Sequence, residues 1–262
     1  MPATVQDAWI AHPRGRLFAR VWTPAADTGR EPIVMLHDSL GSVELWRDFP
    51  AALCEATGRR VVAYDRLGFG LSDARDDTLA VGFIEDEAQS FFPIVLRELG
   101  ITRFVALGHS VGGGMAVNCA AALAEDCVAL ITISAQAFVE DRTVQGLRVA
   151  REQFKAPEQM ERLARWHGAK APWVLEAWLG TWLSPAFAGW SLRAVLPQVR
   201  CPVLAIHGAD DEYGSAKHPQ LIAELAGGPV QVELMAGTGH VPHRERPEAV
   251  LARVRGWLAS LG

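Results

Sequence analysis

The residues with the clearest chemical meaning are Gly108-His109-Ser110-Val111-Gly112, followed by Gly113 and Gly114. They stand between an apolar run at 103–108 and a small-residue stretch at 111–124, so a strand must turn directly into a helix there. A serine at such a bend is held in a strained conformation that projects its hydroxyl from the sheet. Glycines two before and two after remove side chains that would collide in so tight a turn. The N–H of the next residue points toward the reacting centre, near the positive end of the helix. The alternative is a plain N-cap serine after a glycine turn. The strand before, the helix after and the glycine run favour a nucleophile.

A serine hydroxyl at its free pKa is a weak nucleophile and needs a base. Eight histidines compete, and His240 is the choice. It lies in the loop AGTGHVPH directly after the last apolar strand pattern, where Gly237 and Gly239 permit close approach to another backbone and Pro242 adds stiffness. His243 is the rival, expected to help begin the terminal helix or to lie near its surface. His37 and His207 end strands, where structural hydrogen bonds are the expected use. The base in turn needs a carboxylate to fix its tautomer and stabilise the imidazolium. Asp210, Asp211 and Glu212 follow a strand pattern and a turn glycine, Gly208; Glu140 and Asp141 are a more distant possibility.

The elements that must position these groups alternate. Strand patterns fall near 16–23, 33–37, 60–64, 103–108, 128–134, 202–207 and 230–235. Helical patterns fall at 43–57, 78–99 with a kink at Pro93, 111–124, 216–225 and 247–261, the last begun by Pro247. This rhythm implies an α/β fold, a mostly parallel central sheet with helices on both faces. Residues 137–198 break it with short helices separated by Pro157, Pro172, Pro185 and Pro197, and they hold five of the nine tryptophans. The expected organisation is therefore a core of 1–136 and 199–262 with a helical cap at 137–198. A chain of 262 residues is near the size at which one core stops growing.

Composition narrows the classes. Half the residues are apolar and 21% charged, which excludes a disordered chain. A net charge of -5 without a basic stripe gives nucleic-acid binding no footing. No apolar run approaches the roughly 18 residues of a membrane span, and the first residues lack the apolar stretch of a signal peptide. Cys54, Cys119, Cys127 and Cys201 show no C-x-x-C spacing and read as reduced, mostly buried thiols of a cytoplasmic protein. No metal or cofactor is implied, and the expected partner is a small-molecule substrate.

The order Ser110, Asp211, His240 resembles that of the α/β-hydrolase superfamily, from about residue 16 to the end. Leu36-His37-Asp38-Ser39-Leu40-Gly41 resembles its His-Gly-X oxyanion loop, with Asp38 where that family usually has glycine. Asp65-Arg66-Leu67-Gly68-Phe69-Gly70-Leu71-Ser72 is similar to its Asp-x-x-Gly-x-Gly-x-Ser turn. Gly208-x-x-Asp211 and Gly239-His240-x-Pro242 match its acid and histidine motifs and select Asp211. The resemblance implies an oxyanion hole from the backbone N–H groups of Ser39 and Val111, and an acyl-enzyme mechanism.

It also sorts the reaction. A serine nucleophile argues against the haloalkane dehalogenases and epoxide hydrolases, which use aspartate. The His-Gly-Gly-Pro-Gly loop of proline iminopeptidases and the His-Gly-Gly-Gly loop of hormone-sensitive-lipase relatives are absent. So is the Ser-Gly-Pro-Gly loop of C–C bond hydrolases, and Val111 stands where cofactor-free haloperoxidases usually have Met. The expectation is a carboxylesterase or lactonase resembling 3-oxoadipate enol-lactonase and biotin-pathway methyl esterases. Alternatives are a C–C hydrolase of vinylogous diketones, a ligand receptor on a hydrolase scaffold, and a cofactor-independent dioxygenase. Cap residues Trp178 and Trp182 are expected to line an apolar or aromatic substrate site. Cap arginines, Arg142, Arg148, Arg151, Arg162, Arg165 and Arg193, are expected mainly on the surface.

Overall fold

A computed structural model describes residues 3–26 and 28–262. Eight strands form one sheet: β1 (Thr4–His12), β2 (Gly15–Thr23), β3 (Ile33–Leu36), β4 (Val61–Tyr64), β5 (Phe104–His109), β6 (Cys127–Ile133), β7 (Val203–Gly208) and β8 (Val230–Met235). Their order is β1-β2-β4-β3-β5-β6-β7-β8. β2 pairs antiparallel with both β1 and β4; every other pairing is parallel. The central strands β3, β4, β5 and β7 are buried along their whole length. Burial on both faces explains why they read as continuous apolar runs rather than as alternating ones.

Alternate residues of each strand feed opposite faces. Val34, Leu36, Val62 and Tyr64 join one core with α2 (Phe83–Asp86), α3 (Phe92–Glu98), α4 (Val111–Ala122) and α8 (Lys217–Leu225). Ile33, Met35, Val61 and Ala63 join the other with α1 (Phe49–Thr57) and α10 (Pro247–Ser260). Between β6 and β7 the cap is built by α5 (Asp141–Gln153), α6 (Pro157–His167) and α7 (Ala171–Trp182). Pro157 and Pro172 open α6 and α7 rather than interrupting helices, because a first-turn N–H has no helical partner to lose.

Three expectations about elements need correction. β1 was not foreseen: it lies on the sheet edge, mostly exposed, so no buried face imposes an apolar period on it. The expected helix at 43–57 is split, a short 3-10 turn at Glu44–Trp46 preceding α1, with Arg47 at φ 54° between them. The expected long helix at 78–99 begins only at Phe83, and its kink is a π-helical turn, Glu87–Phe91, just before Pro93. The wider turn gives the proline ring room where an α-helical carbonyl would collide with it.

Candidate active site

Ser110 sits between β5 and α4 with φ 56° and ψ -122°, a conformation rarely adopted by a residue with a side chain. Its neighbours show why glycine is needed on both sides. A Cβ on Gly108 would lie 2.0 Å from the Gly112 carbonyl oxygen, and one on Gly112 would lie 2.2 Å from the Leu36 carbonyl oxygen. The bend is therefore packed backbone against backbone, and the Ser110 hydroxyl is directed at His240.

His240 Nε2 lies 3.0 Å from Ser110 Oγ, and its Nδ1 lies 2.8 Å from Asp211 Oδ2. A carboxylate only accepts, so Nδ1 carries the proton and Nε2 is free to accept from the serine. Asp211 is fully buried, and its second oxygen accepts from the N–H groups of Tyr213 at 2.8 Å and Gly214 at 3.0 Å. Burial alone would raise the Asp211 pKa, but the hydrogen bond from His240, the nearby imidazoles and the Tyr213 N–H bring it below the ordinary carboxylate value. Burial pulls the His240 imidazole down; the hydrogen bond and charge of Asp211, with the charges of Glu212 and Asp38 behind them, outweigh it and raise its pKa above 6.5.

Close backbone approach brings the acid and histidine loops together. The glycine that requires it is Gly208, where a Cβ would meet the Gly239 carbonyl oxygen at 2.0 Å; Gly237 instead supplies a left-handed φ of 62°. Glu245 accepts from the N–H groups of Gly239 at 2.7 Å and Val241 at 3.0 Å, bracketing His240. His109 donates from Nε2 to the His240 carbonyl oxygen at 2.8 Å.

The rival residues lie elsewhere. His243 is buried in the short helix α9 (Pro242–Glu245), not near the surface, and packs on Trp46 and His109 at ring distances of 4.8 and 4.7 Å. Glu140 accepts from the Ser215 N–H and lies 3.2 Å from His218 Nε2, so it is engaged away from His240. Asp210 and Glu212 are exposed. His37 and His207 make the structural hydrogen bonds expected of them, to the carbonyls of Asp38 and Gly214.

A cavity of about 270 Å³ opens over Ser110. Ser39, Leu40, Gln136, Tyr213 and Val241 line it from the core, and Thr143, Leu147, Trp178 and Trp182 from the cap. Val111 is the first residue of α4, so its N–H has no acceptor within the helix. The Ser39 N–H donates to no group among the described residues. Trp178 and Trp182 both reach the cavity, but Trp182 is also buried against Phe187 and Trp190. The six cap arginines are exposed, and Arg142 donates to the Asp211 carbonyl oxygen. Gln136, Tyr213 and His109 also contribute to the site and were given no role from the sequence; of these only His109 lies inside a motif, the Gly108–Gly112 turn, where a signal was available.

With this geometry in place, comparison with known proteins identifies the class. The alpha/beta hydrolase family matches residues 33–254, and the chain belongs to that family of enzymes. Among curated relatives, it is 31% identical over 113 residues to a proline iminopeptidase of Lactobacillus delbrueckii subsp. lactis, a match covering 43% of this chain and 38% of that protein. The serine hydrolase BPHL of Mus musculus is 28% identical over 205 residues, covering 75% of this chain and 68% of that protein. The crystal structure of a proline iminopeptidase from Mycobacterium smegmatis superposes with a TM-score of 0.75 at 24% identity over 98% of both chains. A thermophilic esterase from Thermogutta terrifontis, in its malate-bound form, gives 0.73 at 20% identity over 98% of this chain and 99% of that one. At these identities the structural matches show the shared fold. No helix among the described residues is long and apolar enough to cross a membrane.

Proposed function

We propose that the protein is a cytoplasmic serine hydrolase of carboxylic esters or lactones with a neutral, apolar or aromatic acyl group. The observation that carries this reading is the unbroken chain Ser110 Oγ, His240 and Asp211, at 3.0 and 2.8 Å, opening into a cavity lined by the cap. Ser110 attacks the carbonyl carbon while His240 Nε2 takes its proton. The N–H groups of Ser39 and Val111 receive the oxyanion. His240 then gives the proton to the leaving alkoxide, and the released alcohol leaves an acyl-Ser110 ester. Water attacks that ester with His240 again as base, returning the free acid and the serine.

The lining supports the substrate class. Leu40, Leu147, Trp178, Trp182 and Val241 are apolar, and the charged side chains besides His240 are Asp38 and Glu212. With no lysine or arginine among the lining residues, a substrate carboxylate has no cation to meet. This favours neutral acyl groups over an enol-lactone acid.

The test is labelling with a serine-directed fluorophosphonate, together with a panel of p-nitrophenyl esters, γ- and δ-lactones, a vinylogous diketone and a prolyl anilide. Label on Ser110 and Ser110-dependent turnover of neutral esters or lactones is the expected result. Label on another residue, or turnover that survives Ser110→Ala, overturns the assignment. Cleavage confined to the diketone or the anilide moves the protein to C–C or amide hydrolysis. Ligand-dependent partner binding without turnover would make it a receptor.

A further inference from the structure

Arg66 is 3% exposed, yet among the described residues no carboxylate lies within ion-pair distance of it. Glu87 and Asp38 offset its charge only from beyond contact, and a buried guanidinium without a contact ion pair is costly, so its contacts need a reason. Its guanidinium covers the Phe69 ring at 4.0 Å and donates from Nη2 to the Asp38 carbonyl oxygen at 2.8 Å. Nε has no partner. A buried cation is thus committed to one backbone oxygen, and that oxygen belongs to the peptide unit whose nitrogen is the Ser39 N–H.

The peptide unit is planar and trans, so its C=O and N–H point to opposite edges. Three donors converge on the Asp38 oxygen: Arg66 Nη2 at 2.8 Å, His37 Nδ1 at 2.8 Å and the Gly41 N–H at 3.2 Å. His37 can donate from Nδ1 because its Nε2 accepts the Arg66 backbone N–H at 3.1 Å, so Arg66 also fixes the imidazole tautomer. Gly41 completes the turn where a Cβ would lie 2.1 Å from Asp38 Oδ1. Held this way, the unit turns its N–H to the opposite edge, and Ser39 lines the cavity together with Ser110. A cation on the carbonyl also draws charge through the amide and makes that N–H a stronger donor.

We propose that Arg66 is a positioning residue of the oxyanion site, orienting and polarising the Asp38–Ser39 peptide so that the Ser39 N–H stabilises the transition state. This rests on the reading of Ser39 as an oxyanion donor and adds the group that makes it one. Arg66 touches neither substrate nor Ser110; it acts through the peptide.

The experiment compares wild type with Arg66→Met, Arg66→Gln and Arg66→Lys on a neutral p-nitrophenyl ester. It also measures inhibition by an alkyl boronic acid, which forms a tetrahedral adduct on the serine. Removing an oxyanion donor outright costs about 10²–10³-fold, and a group one step behind it should cost about 10–100-fold. The expected result is a loss of that size for Arg66→Met in kcat, with KM changed less than about threefold. The boronate inhibition constant should rise in proportion across the series, with Arg66→Lys or Arg66→Gln recovering part of both. A folded Arg66→Met with wild-type kcat/KM overturns the proposal, as does a loss of activity that leaves boronate affinity unchanged. If Arg66→Met does not fold, the Gln and Lys variants decide by the same proportionality. Activity that persists in Ser110→Ala would instead overturn the hydrolase reading itself, so the two failures are distinct.

Discussion

His240 sets the pH dependence of the proposed reaction, because Ser110 can give up its proton only while Nε2 is unprotonated. Asp211 raises the pKa of this imidazole against the opposing effect of burial, with smaller contributions from Glu212 and Asp38. The acidic limb of kcat/KM is therefore expected above pH 6.5, with activity rising as the imidazole loses its proton. Glu212→Gln and Asp38→Asn should each move that limb to lower pH, since each removes a charge that favours the imidazolium. His243→Ala should leave the limb in place, since burial holds the His243 pKa well below 6.5 and the residue stays neutral there. EDTA should have no effect. A limb below 6.5 in wild type, or one that disappears in His243→Ala, would show that another group is the base. Ser110 and His240 were legible in the sequence because glycines crowd around both, and tight backbone leaves a mark in residue type. Asp211 needed its spacing from Gly208, as three adjacent carboxylates look alike. Arg66 was unreadable, because its meaning lies in a carbonyl 28 residues away.

At the scale of elements, the cap presents two tryptophans that the sequence could not tell apart. Trp182 is 3% exposed and packs edge-on against Phe187 and Trp190, with ring centroids at 5.0 and 5.6 Å. Trp178 is only partly buried and faces Tyr213 at 6.0 Å. Trp182→Ala should therefore cost about 3–5 kcal/mol of stability, the range for deleting a core aromatic. Trp178→Ala should cost much less and shift relative kcat/KM among ester chain lengths several-fold. Denaturant unfolding and an ester series check both; equal stability losses would make each a packing residue.

The cap is also pinned to the core by His167, at the end of α6. Its Nε2 donates to the Leu40 carbonyl oxygen at 3.0 Å, and its Nδ1 accepts the Gly70 N–H at 2.9 Å. His167→Leu leaves two backbone groups unpaired and should cost about 2–4 kcal/mol, whereas His167→Gln can both donate and accept and should recover part of this. A Leu variant with wild-type melting behaviour would remove the latch. The parallel strands and the cap helices were legible because burial and proline each leave a local pattern. The edge strand β1 and the π turn before Pro93 were not, because one lacks a buried face and the other is a steric response to its surroundings.

For the whole molecule, the histidines make stability and activity fail at different pH. Six histidines besides His240 are buried: His37, His109, His167, His207, His218 and His243. Burial lowers the pKa of each, with His109 and His218 brought to about 4. Well above pH 6.5 both the folded and unfolded chains carry them neutral, and their contribution to stability is fully present. As pH falls from 6.5 toward about 4, the unfolded chain takes up protons that the folded chain refuses, and this stability is lost. Each histidine contributes up to about 1.4 kcal/mol per pH unit over its window. Two buried carboxyls oppose them near pH 5: Asp65, at about 6, and Glu87 are raised by desolvation, so the folded state holds protons on them that the unfolded state releases. His240 opposes them only between 6.5 and its raised pKa, because below 6.5 both states carry its proton. Six against two leaves a net loss of stability as pH falls toward 5. Urea unfolding at pH 7.5, 6.5 and 5.5 should show a small fall over the first step and a clearly larger one over the second. Because the catalytic limb lies above 6.5, hydrolysis should fade first and return fully on neutralisation, while the fold is still intact. Stability that is flat or rising down to pH 5, or activity that outlasts the folded state on acidification, would contradict this ordering.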